Sequence, residues 1–160
     1  MEDVLRILES DSRTPPERIA QMTGRPVDEV RAILEKALKD RVILSYRAQV
    51  NWEKLGAAPV YAIIEVKLVP QREVGFDSVA SRIARFPEVR TAHLVSGDYD
   101  LAVQVVGETI YEISNFVSNK LAVMEAVQGT STHFILKRYK EDGTLIAGED
   151  GIEGRLPLSI

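Results

Sequence analysis

The segment from His93 to Gly107 constrains the fold most, because it holds two apolar runs separated by one short polar bend. Val95 ends the first run, and the second covers Leu101 to Val106 with Gln104 as its only polar residue. Runs of this length and apolar character are typical of β-strands. The segment therefore predicts two neighbouring strands that share a turn at one end of a sheet.

The bend itself is Ser96-Gly97-Asp98-Tyr99-Asp100. Gly97 can adopt a positive φ at little cost, and Asp98 and Asp100 can accept hydrogen bonds from neighbouring backbone N–H groups. Two interpretations follow from these residues. The two acids, a hydroxyl group and free backbone amides can form a pocket for a small zwitterion, or the acids can merely cap the turn.

Composition places the chain among globular proteins with one ordinary domain or two small ones. Of its 160 residues, 45% are hydrophobic and 28% are charged, a balance that disordered chains do not show. No apolar run approaches the roughly 18 residues that span a bilayer, and the first residues lack a signal-peptide core. The absence of cysteine excludes disulfides and thiolate metal sites. We therefore expect a cytoplasmic protein without a bound metal or cofactor.

Charge is distributed unevenly along the chain. The net charge is −4 and the isoelectric point is about 5.3, which argues against nonspecific binding of nucleic acid by the whole surface. Residues 1–55 contain ten basic and ten acidic residues, whereas the remainder contains ten and fourteen. Any contact with phosphate is therefore expected from the N-terminal part.

The N-terminal part predicts three short helices, at residues 3–10, 14–23 and 27–40. Thr14 would cap the second helix in a capping box with Glu17, and Gly24 would end it in the left-handed conformation. Three helices with a glycine in the second turn have the layout of a helix-turn-helix unit, whose third helix enters the major groove of DNA. The candidate DNA contacts are Thr14, Arg18, Arg25, Val27, Asp28, Arg31 and Glu35.

A plain three-helix bundle with solvated charges is the alternative interpretation of this segment. Asp28 and Glu29 favour the bundle, because acids at the start of the third helix repel phosphate. Arg25 and Arg31 favour DNA binding, because both can reach base edges or phosphates in the helix-turn-helix layout. Spacing alone leaves both interpretations open.

The composition between residues 42 and 59 predicts the domain organisation. Residues 42–52 have the alternation of an extended hinge strand, and residues 53–59 include Gly-Ala-Ala-Pro, which is typical of a linker. We predict four parts: a winged-helix-like helix-turn-helix domain with its hinge strand at 1–52, a linker at 53–59, a second domain at 60–140 and a C-terminal tail at 141–160.

The apolar pattern of residues 60–140 predicts, in order, a strand, a helix, two strands, a helix and a strand. This is the ferredoxin-like βαββαβ arrangement, an α+β fold with both helices on one face of a four-stranded antiparallel sheet. The other face would be bare and partly apolar, so we expect association with a second copy. Asp142-Gly143 predicts a hairpin turn after the domain. The predicted strands are 60–69, 89–95, 101–106 and 126–137, and the predicted helices are 75–86 and 108–123.

A helix-turn-helix unit followed by a hinge and a βαββαβ domain resembles the Lrp/AsnC family of transcription regulators. The resemblance rests on the Gly97–Asp100 spacing in the bend, on Thr130-Ser131-Thr132 in the last strand and on Phe86-Pro87-Glu88-Val89 before the second strand. It covers residues 3–140. It implies dimers that form through the C-terminal sheets, often assembled into octamers, and double-stranded DNA bound by the N-terminal unit.

The resemblance also implies a site between subunits for an amino acid or similar effector. A carboxylate near the bend would suit the effector's ammonium group, while backbone N–H groups and hydroxyls would hold its carboxylate. Effector binding would then shift the population of assembled states. The residues implied at this site are Ser96, Gly97, Asp98, Tyr99, Asp100, Thr130 and Thr132.

Two other functions are alternatives to a DNA-binding regulator. One is an effector-binding assembly that has lost contact with DNA, which Asp28 and Glu29 favour. The other is an enzyme similar to the siroheme decarboxylases that share the two-domain plan. His93 and His133 are the only histidines, and the sequence offers no obvious nucleophile–base pair. We therefore expect a protein that is not an enzyme.

Overall fold

The computed structural model describes residues 1–69 and 75–146. The chain forms two compact units, the first from Met1 to Val50 and the second from Asn51 onwards. The division comes slightly earlier than the predicted end of the first domain at residue 52. Residues 147–160 of the predicted tail lie outside the described residues. None of the described helices is long and apolar enough to cross a membrane.

Three helices form the first unit, as predicted. They are α1 (Glu2–Ser10), α2 (Pro16–Thr23) and α3 (Val27–Lys39). Their small apolar core includes Val4, Ile19 and Val30, which are fully inaccessible to solvent. Gly24 follows α2 with a φ of 68°, and its N–H group donates to the Ala20 carbonyl oxygen. This confirms the predicted left-handed stop.

The predicted capping box at the start of α2 is wrong. The Thr14 hydroxyl donates to the Asp11 carbonyl oxygen at 2.9 Å, so Thr14 closes the preceding turn rather than capping the helix. Pro15 precedes the first helical residue in an extended conformation, with a ψ of 153°. Pro16 accounts for the shift, because a residue before proline is kept out of the helical conformation.

The predicted hinge strand is also wrong, because residues 44–50 of the described chain have no strand pairing. A strand needs a neighbour for its N–H and C=O groups, and alternation within one segment cannot show whether a neighbour exists. Leu44 of this segment is 78% exposed. The predicted linker contains a 3₁₀ helix, Trp52–Leu55, which is capped by the Asn51 side chain.

The second unit has the predicted ferredoxin-like order. Its elements are β1 (Val60–Leu68), α4 (Phe76–Ile83), β2 (Val89–Leu94), β3 (Leu101–Gly107), α5 (Ile110–Phe116) and β4 (Val127–Phe134). The sheet order is β2-β3-β1-β4, and every neighbouring pair is antiparallel. The first strand therefore lies between the third and the fourth, near the middle of the sheet.

Both helices cover one face of this sheet. Every second residue of β1 from Ala62 to Leu68 is buried, as expected when alternate side chains point to opposite faces. Phe116 packs edge-on against Phe86, with ring centroids 5.4 Å apart. The larger core of the protein thus lies between the sheet and helices α4 and α5.

The second predicted helix of this unit is shorter than expected and changes its winding. α5 is followed by a π-helical turn, Val117–Leu121. Here the Ala122 N–H group donates to the Val117 carbonyl oxygen, five residues back, at 2.8 Å. Apolar periodicity predicted the buried face, but a repeat of 3.6 residues cannot reveal one extra residue within a single turn.

The predicted hairpin after the domain is confirmed. Strands β5 (Lys140–Glu141) and β6 (Thr144–Leu145) pair with each other. Between them, Asp142 and Gly143 have φ values of 40° and 82°. Positive φ at both central residues is the geometry that Asp-Gly favours in a two-residue hairpin.

Candidate functional site

The bend between β2 and β3 lies at one end of the sheet, as predicted. The Val95 N–H group donates to the Asp100 carbonyl oxygen at 2.9 Å, and the Asp100 N–H group donates to the Val66 carbonyl oxygen at 3.0 Å. Gly97 has a φ of 152°, which residues with a side chain rarely adopt. The glycine therefore allows the chain to reverse direction over a short distance.

Asp100 has a structural partner that the sequence did not reveal. Its Oδ2 atom accepts a hydrogen bond from the Leu68 N–H group at 2.7 Å. β1 extends past its last β3 partner here, since Val66 pairs with Leu101. The carboxylate thus supplies an acceptor where the strand pairing ends. For Asp100, the capping interpretation of the bend describes the structure.

The remaining polar side chains of the bend are differently placed. Asp98 and Ser96 are exposed, and Tyr99 is half-buried. Within the described residues, the Asp98 carboxylate has no hydrogen-bond partner. Asp98 is therefore the bend carboxylate that can accept a hydrogen bond from a ligand's ammonium group without giving up a bond to any described residue.

Thr130 and Thr132 lie on β4, on the other side of β1 from the bend. They pair with Val66 and Ile64, both buried towards the helices, so the two half-buried threonines share the helix-covered face. Val66 also pairs with Leu101, which follows the bend. Thr130 and the bend thus lie at the same end of the sheet, while Thr132 lies further along β4.

The opposite face of the sheet carries a cluster that sequence reasoning missed. His133 Nε2 lies 3.4 Å from Glu65 Oε1 and 3.3 Å from Ser131 Oγ. Both contacts use the same ring nitrogen, so the three side chains do not form a proton relay of the Ser-His-acid type. The pairing of β1 with β4 brings them together, and a single sequence does not reveal that pairing.

In the first unit, Arg31 on α3 is held by acids of its own domain. Its Nη2 atom donates to Glu17 Oε1 at 2.6 Å, and its Nη1 atom lies 3.6 Å from Asp28 Oδ1. Hydrogen bonds from the backbone N–H group of Glu17 and from Arg31 lower the pKa of the Glu17 carboxyl. The side chains of Arg31 and Glu17 are 53% and 58% exposed, so water competes for both partners.

Arg25, between α2 and α3, binds two acids, one distant in sequence and one four residues away. Its Nε atom donates to Asp3 Oδ2 at 2.9 Å, and its Nη1 atom donates to Glu29. The Arg25 guanidinium holds the pKa of Asp3 well below its usual range, and Asp3 raises the pKa of Arg25. Arg25 therefore connects α1 to the first turn of α3.

The other predicted DNA contacts are divided between exposed and packed residues. Val27 packs half-buried against the small core. Arg18 donates from Nη1 to Gln21 Oε1 at 3.3 Å on the surface of α2. Asp28 and Glu35 are exposed on α3. α3 thus presents a surface of mixed charge, which suits the donors and acceptors of base edges better than a row of phosphates.

Comparison with known proteins identifies the two-unit architecture. Residues 61–145 match the family described as Lrp/AsnC ligand binding domain. The chain is 47% identical over 150 residues to the uncharacterized HTH-type transcriptional regulator YugG of Bacillus subtilis. That alignment covers 92% of this chain and 90% of YugG.

Solved structures show the same fold over most of the chain. AsnC of E. coli superposes with a TM-score of 0.67 at 21% identity, over 91% of this chain and 95% of that protein. The transcriptional regulator NMB0573 of Neisseria meningitidis, solved in complex with L-Met, superposes with a TM-score of 0.69 at 19% identity, over 87% and 89%. These structures share the fold, and the domain match and the YugG alignment show that this chain belongs to the Lrp/AsnC family of helix-turn-helix transcriptional regulators.

Proposed function

We propose that this regulator binds operator DNA through α3 and responds to an amino acid, or a similar zwitterion, held beside the 96–100 bend. The observation that carries the proposal is the position of Asp98, a carboxylate with no hydrogen-bond partner among the described residues, in a bend at the same end of the sheet as Thr130. Both lie within the residues that match the Lrp/AsnC ligand binding domain. The effector would alter DNA binding by favouring one assembly over another.

The DNA side of the proposal depends on Arg31 exchanging its partners. An exposed ion pair such as Arg31–Glu17 contributes only about 0–1 kcal/mol. A guanidinium that donates to a guanine base or to a phosphate gains a charge-assisted hydrogen bond of comparable or greater strength. Arg31 can therefore leave Glu17 for DNA. Asp28 and Glu35 would disfavour phosphate and accept hydrogen bonds from cytosine amino groups.

The effector side of the proposal depends on Asp98 and its neighbours. Asp98 would accept from the effector's ammonium group, while the Ser96 hydroxyl and bend N–H groups would donate to its carboxylate. A second copy of the chain would complete the site, and the threonines of β4 would border it from the helix-covered face of the sheet. The L-Met complex of the Neisseria protein supports an amino acid as the class of effector.

Association of copies would use the sheet face that the helices leave bare. Ile63 on that face is 41% exposed, and it lies beside the exposed His133, its partner on β4. Burial of such a mixed surface suits a homodimer, which can assemble further, for example into an octamer. Several helix-turn-helix units on one DNA would multiply modest contacts, which offsets the neutral charge of the first unit. We place this activity in the cytoplasm, and we propose no catalytic role.

Footprinting of the DNA upstream of the protein's own gene tests DNA binding. Arg31→Ala should weaken protection by at least about five-fold, because a bidentate base contact contributes about 1–3 kcal/mol. Arg13→Ala is the matched control, since Arg13 is 90% exposed and pairs only locally with Asp11. Absence of protection at every salt concentration would favour an effector-binding assembly without DNA contact.

A thermal-shift screen of the twenty amino acids tests the effector site. One or a few should raise the melting temperature of the wild-type protein by mass action and raise that of Asp98→Ala much less. Asp98 is the informative position, because Asp100 also holds the fold together. An equal rise in both proteins would remove Asp98 from the site.

A further inference from the structure

A cavity lies at the end of β3 that is remote from the bend. It has a volume of about 250 Å³, opens to the surface and is lined by the end of β3, the residue before β2, α5 and the π-helical turn. Its apolar wall comes from Val105, Ile113 and Phe116, and its polar side chains are Glu88, Glu112, Asn115, Asn119 and Lys120.

Glu88 leaves one carboxylate oxygen without a hydrogen bond. Its Oε1 atom accepts from Lys120 Nζ. Its Oε2 atom is shielded from solvent and has no hydrogen-bond partner within the described residues. An unpaired buried acceptor of this kind is costly, and more so when it is charged. Among the described side chains and backbone, Glu88 Oε2 therefore has room for one further donor.

Lys120 lies on the π-helical turn and binds Glu88 beside two aromatic rings. Lys120 Nζ lies 5.5 Å from the ring centroid of Phe86 and 5.8 Å from that of Phe116. The two rings and the Glu88 carboxylate thus hold the ammonium group at one side of the cavity. Single π-helical turns within helices occur frequently at functional sites, and this one contributes Asn119 and Lys120 to the lining.

The charge of the lining favours a cation. Two carboxylates, Glu88 and Glu112, face a single ammonium group, that of Lys120. Burial acts to raise the pKa of Glu88, but hydrogen bonds from Lys120 and from its own backbone N–H group outweigh burial and lower it. Glu88 therefore stays ionised at neutral pH. Glu112 already accepts from the Glu108 N–H group at 2.7 Å, which leaves Glu88 as the principal acceptor.

We propose that this cavity binds a small primary ammonium compound with a short hydrocarbon chain. Glu88 Oε2 and the side chains of Val105, Ile113 and Phe116 are closed to solvent, so side chains at the rim of the cavity must move before a ligand can enter. The ammonium group would then donate to Glu88 Oε2, and the hydrocarbon would pack on those three side chains. The volume of about 250 Å³ lies below the roughly 300–1,000 Å³ of ordinary ligand pockets, which restricts the ligand to a molecule of few heavy atoms. The site is separate from the proposed effector site, since the bend precedes β3 and the cavity lies at its far end.

Three probes of similar size show which charged group the cavity recognises. Isoamylamine has only the ammonium group, isovalerate has only the carboxylate, and leucine has both. Isoamylamine, titrated into the full chain and followed by NMR, should shift the side-chain amide signals of Asn115 and Asn119. Isovalerate should leave both signals unchanged. Saturation by isoamylamine at concentrations of about 10 mM or below, in the weak range of affinities, is the expected result.

Variants test whether Glu88 is the acceptor. Glu88→Gln should weaken isoamylamine binding at least about ten-fold, because a hydrogen bond to a charged group is lost. Glu108→Gln, an exposed carboxylate outside the lining, should change it by less than about two-fold. Asn115→Trp, at an exposed position of the lining, should block binding while leaving Glu88 intact.

Two results would overturn the proposal: no isoamylamine binding to the wild-type protein at about 10 mM, or equal binding by the wild-type protein and Glu88→Gln. Leucine distinguishes the two sites. If leucine binding survives Glu88→Gln but is lost in Asp98→Ala, leucine occupies the bend, and the isoamylamine result alone decides on the cavity.

Discussion

The two units of this protein differ in how strongly their predicted binding residues are already bonded within the fold. In the first unit, Arg31 is bonded to acids that are largely exposed to water, so its bonds are weak and exchangeable. In the second unit, Asp100 is bonded to the N–H group of Leu68, a residue only 3% exposed, and that donor has no ready substitute. A predicted binding residue that already has a partner can exchange it for a ligand when the partner is exposed to water. When the partner is buried, the bond is needed for the stability of the fold and is not exchanged.

The largest effect should come from Asp100→Ala. This change leaves the Leu68 N–H group without its acceptor and should lower the free energy of unfolding by about 1–3 kcal/mol. Asp100→Asn retains an acceptor oxygen and should recover most of that loss. Urea denaturation, with hydrogen exchange of the Leu68 amide, measures both effects. Asp98→Ala is the matched control within the bend and should stay within about 0.5 kcal/mol of wild type; a larger loss would mean that Asp98 is structural too.

Replacement of Thr109 should cost more stability than replacement of Thr14, because only Thr109 of these two caps a helix. Thr109 Oγ1 accepts from the Glu112 N–H group at 3.2 Å at the start of α5, so Thr109→Ala should cost about 1 kcal/mol. Thr14 closes a turn before α2, and Thr14→Ala should cost less than about 0.5 kcal/mol. Thermal denaturation of the two variants makes the comparison. Equal losses would indicate that Thr14 caps α2 in solution.

A smaller effect is expected when Glu17→Gln releases Arg31. Without its carboxylate partner, Arg31 should transfer to DNA more readily and raise operator affinity by a factor of about two to five, as expected for an exposed ion pair. Fluorescence anisotropy with a labelled operator at low and moderate salt measures the change. Glu9→Gln, at an exposed position of α1, is the control for the change in net charge. Unaltered affinity would show that Arg31 does not exchange its partners.

The smallest effect should be the acid sensitivity of the first unit. Asp3 and Glu17 have pKa values below their ordinary values of 3.8 and 4.5, so their contribution to stability is present above those ordinary values. It should decline as the pH falls below them towards the lowered values. Amide exchange near Ile19 at pH 5 and pH 3.5 reports on this unit separately from the second. Asp3→Asn should reduce the difference between the two pH values; an undiminished difference would assign it to other groups.

Much of the fold was predictable because it depends on local patterns. Apolar periodicity located the three helices of the first unit, and Gly24 and Asp142-Gly143 marked positions that require left-handed backbone conformations. The order of elements identified the βαββαβ arrangement. Failures occurred where a segment needs a partner that lies elsewhere in the chain. Alternation in residues 42–52 predicted a strand, but no neighbour pairs with it in the described structure.

The 96–100 bend also contains a contact that the sequence could not predict, because the partner lies elsewhere in the chain. The sequence placed both of its acids at the end of a sheet, but could not tell them apart. Only the position of β1 beside β3 showed that Asp100 meets the Leu68 N–H group and that Asp98 does not. The proposed ammonium cavity was outside sequence reasoning altogether, since it depends on a π-helical turn that periodicity does not detect.

The sequence by itself determined the family, the order of the elements and the residue types near each turn, because these depend on spacing along the chain. The tertiary structure decided which charges are paired. Glu17 meets Arg31, Glu88 meets Lys120, and Glu65 meets His133 only after helices and strands distant in sequence have packed. Hydrogen bonds and ion pairs act over a few ångströms, so the state of each predicted binding residue depends on neighbours that folding brings to it.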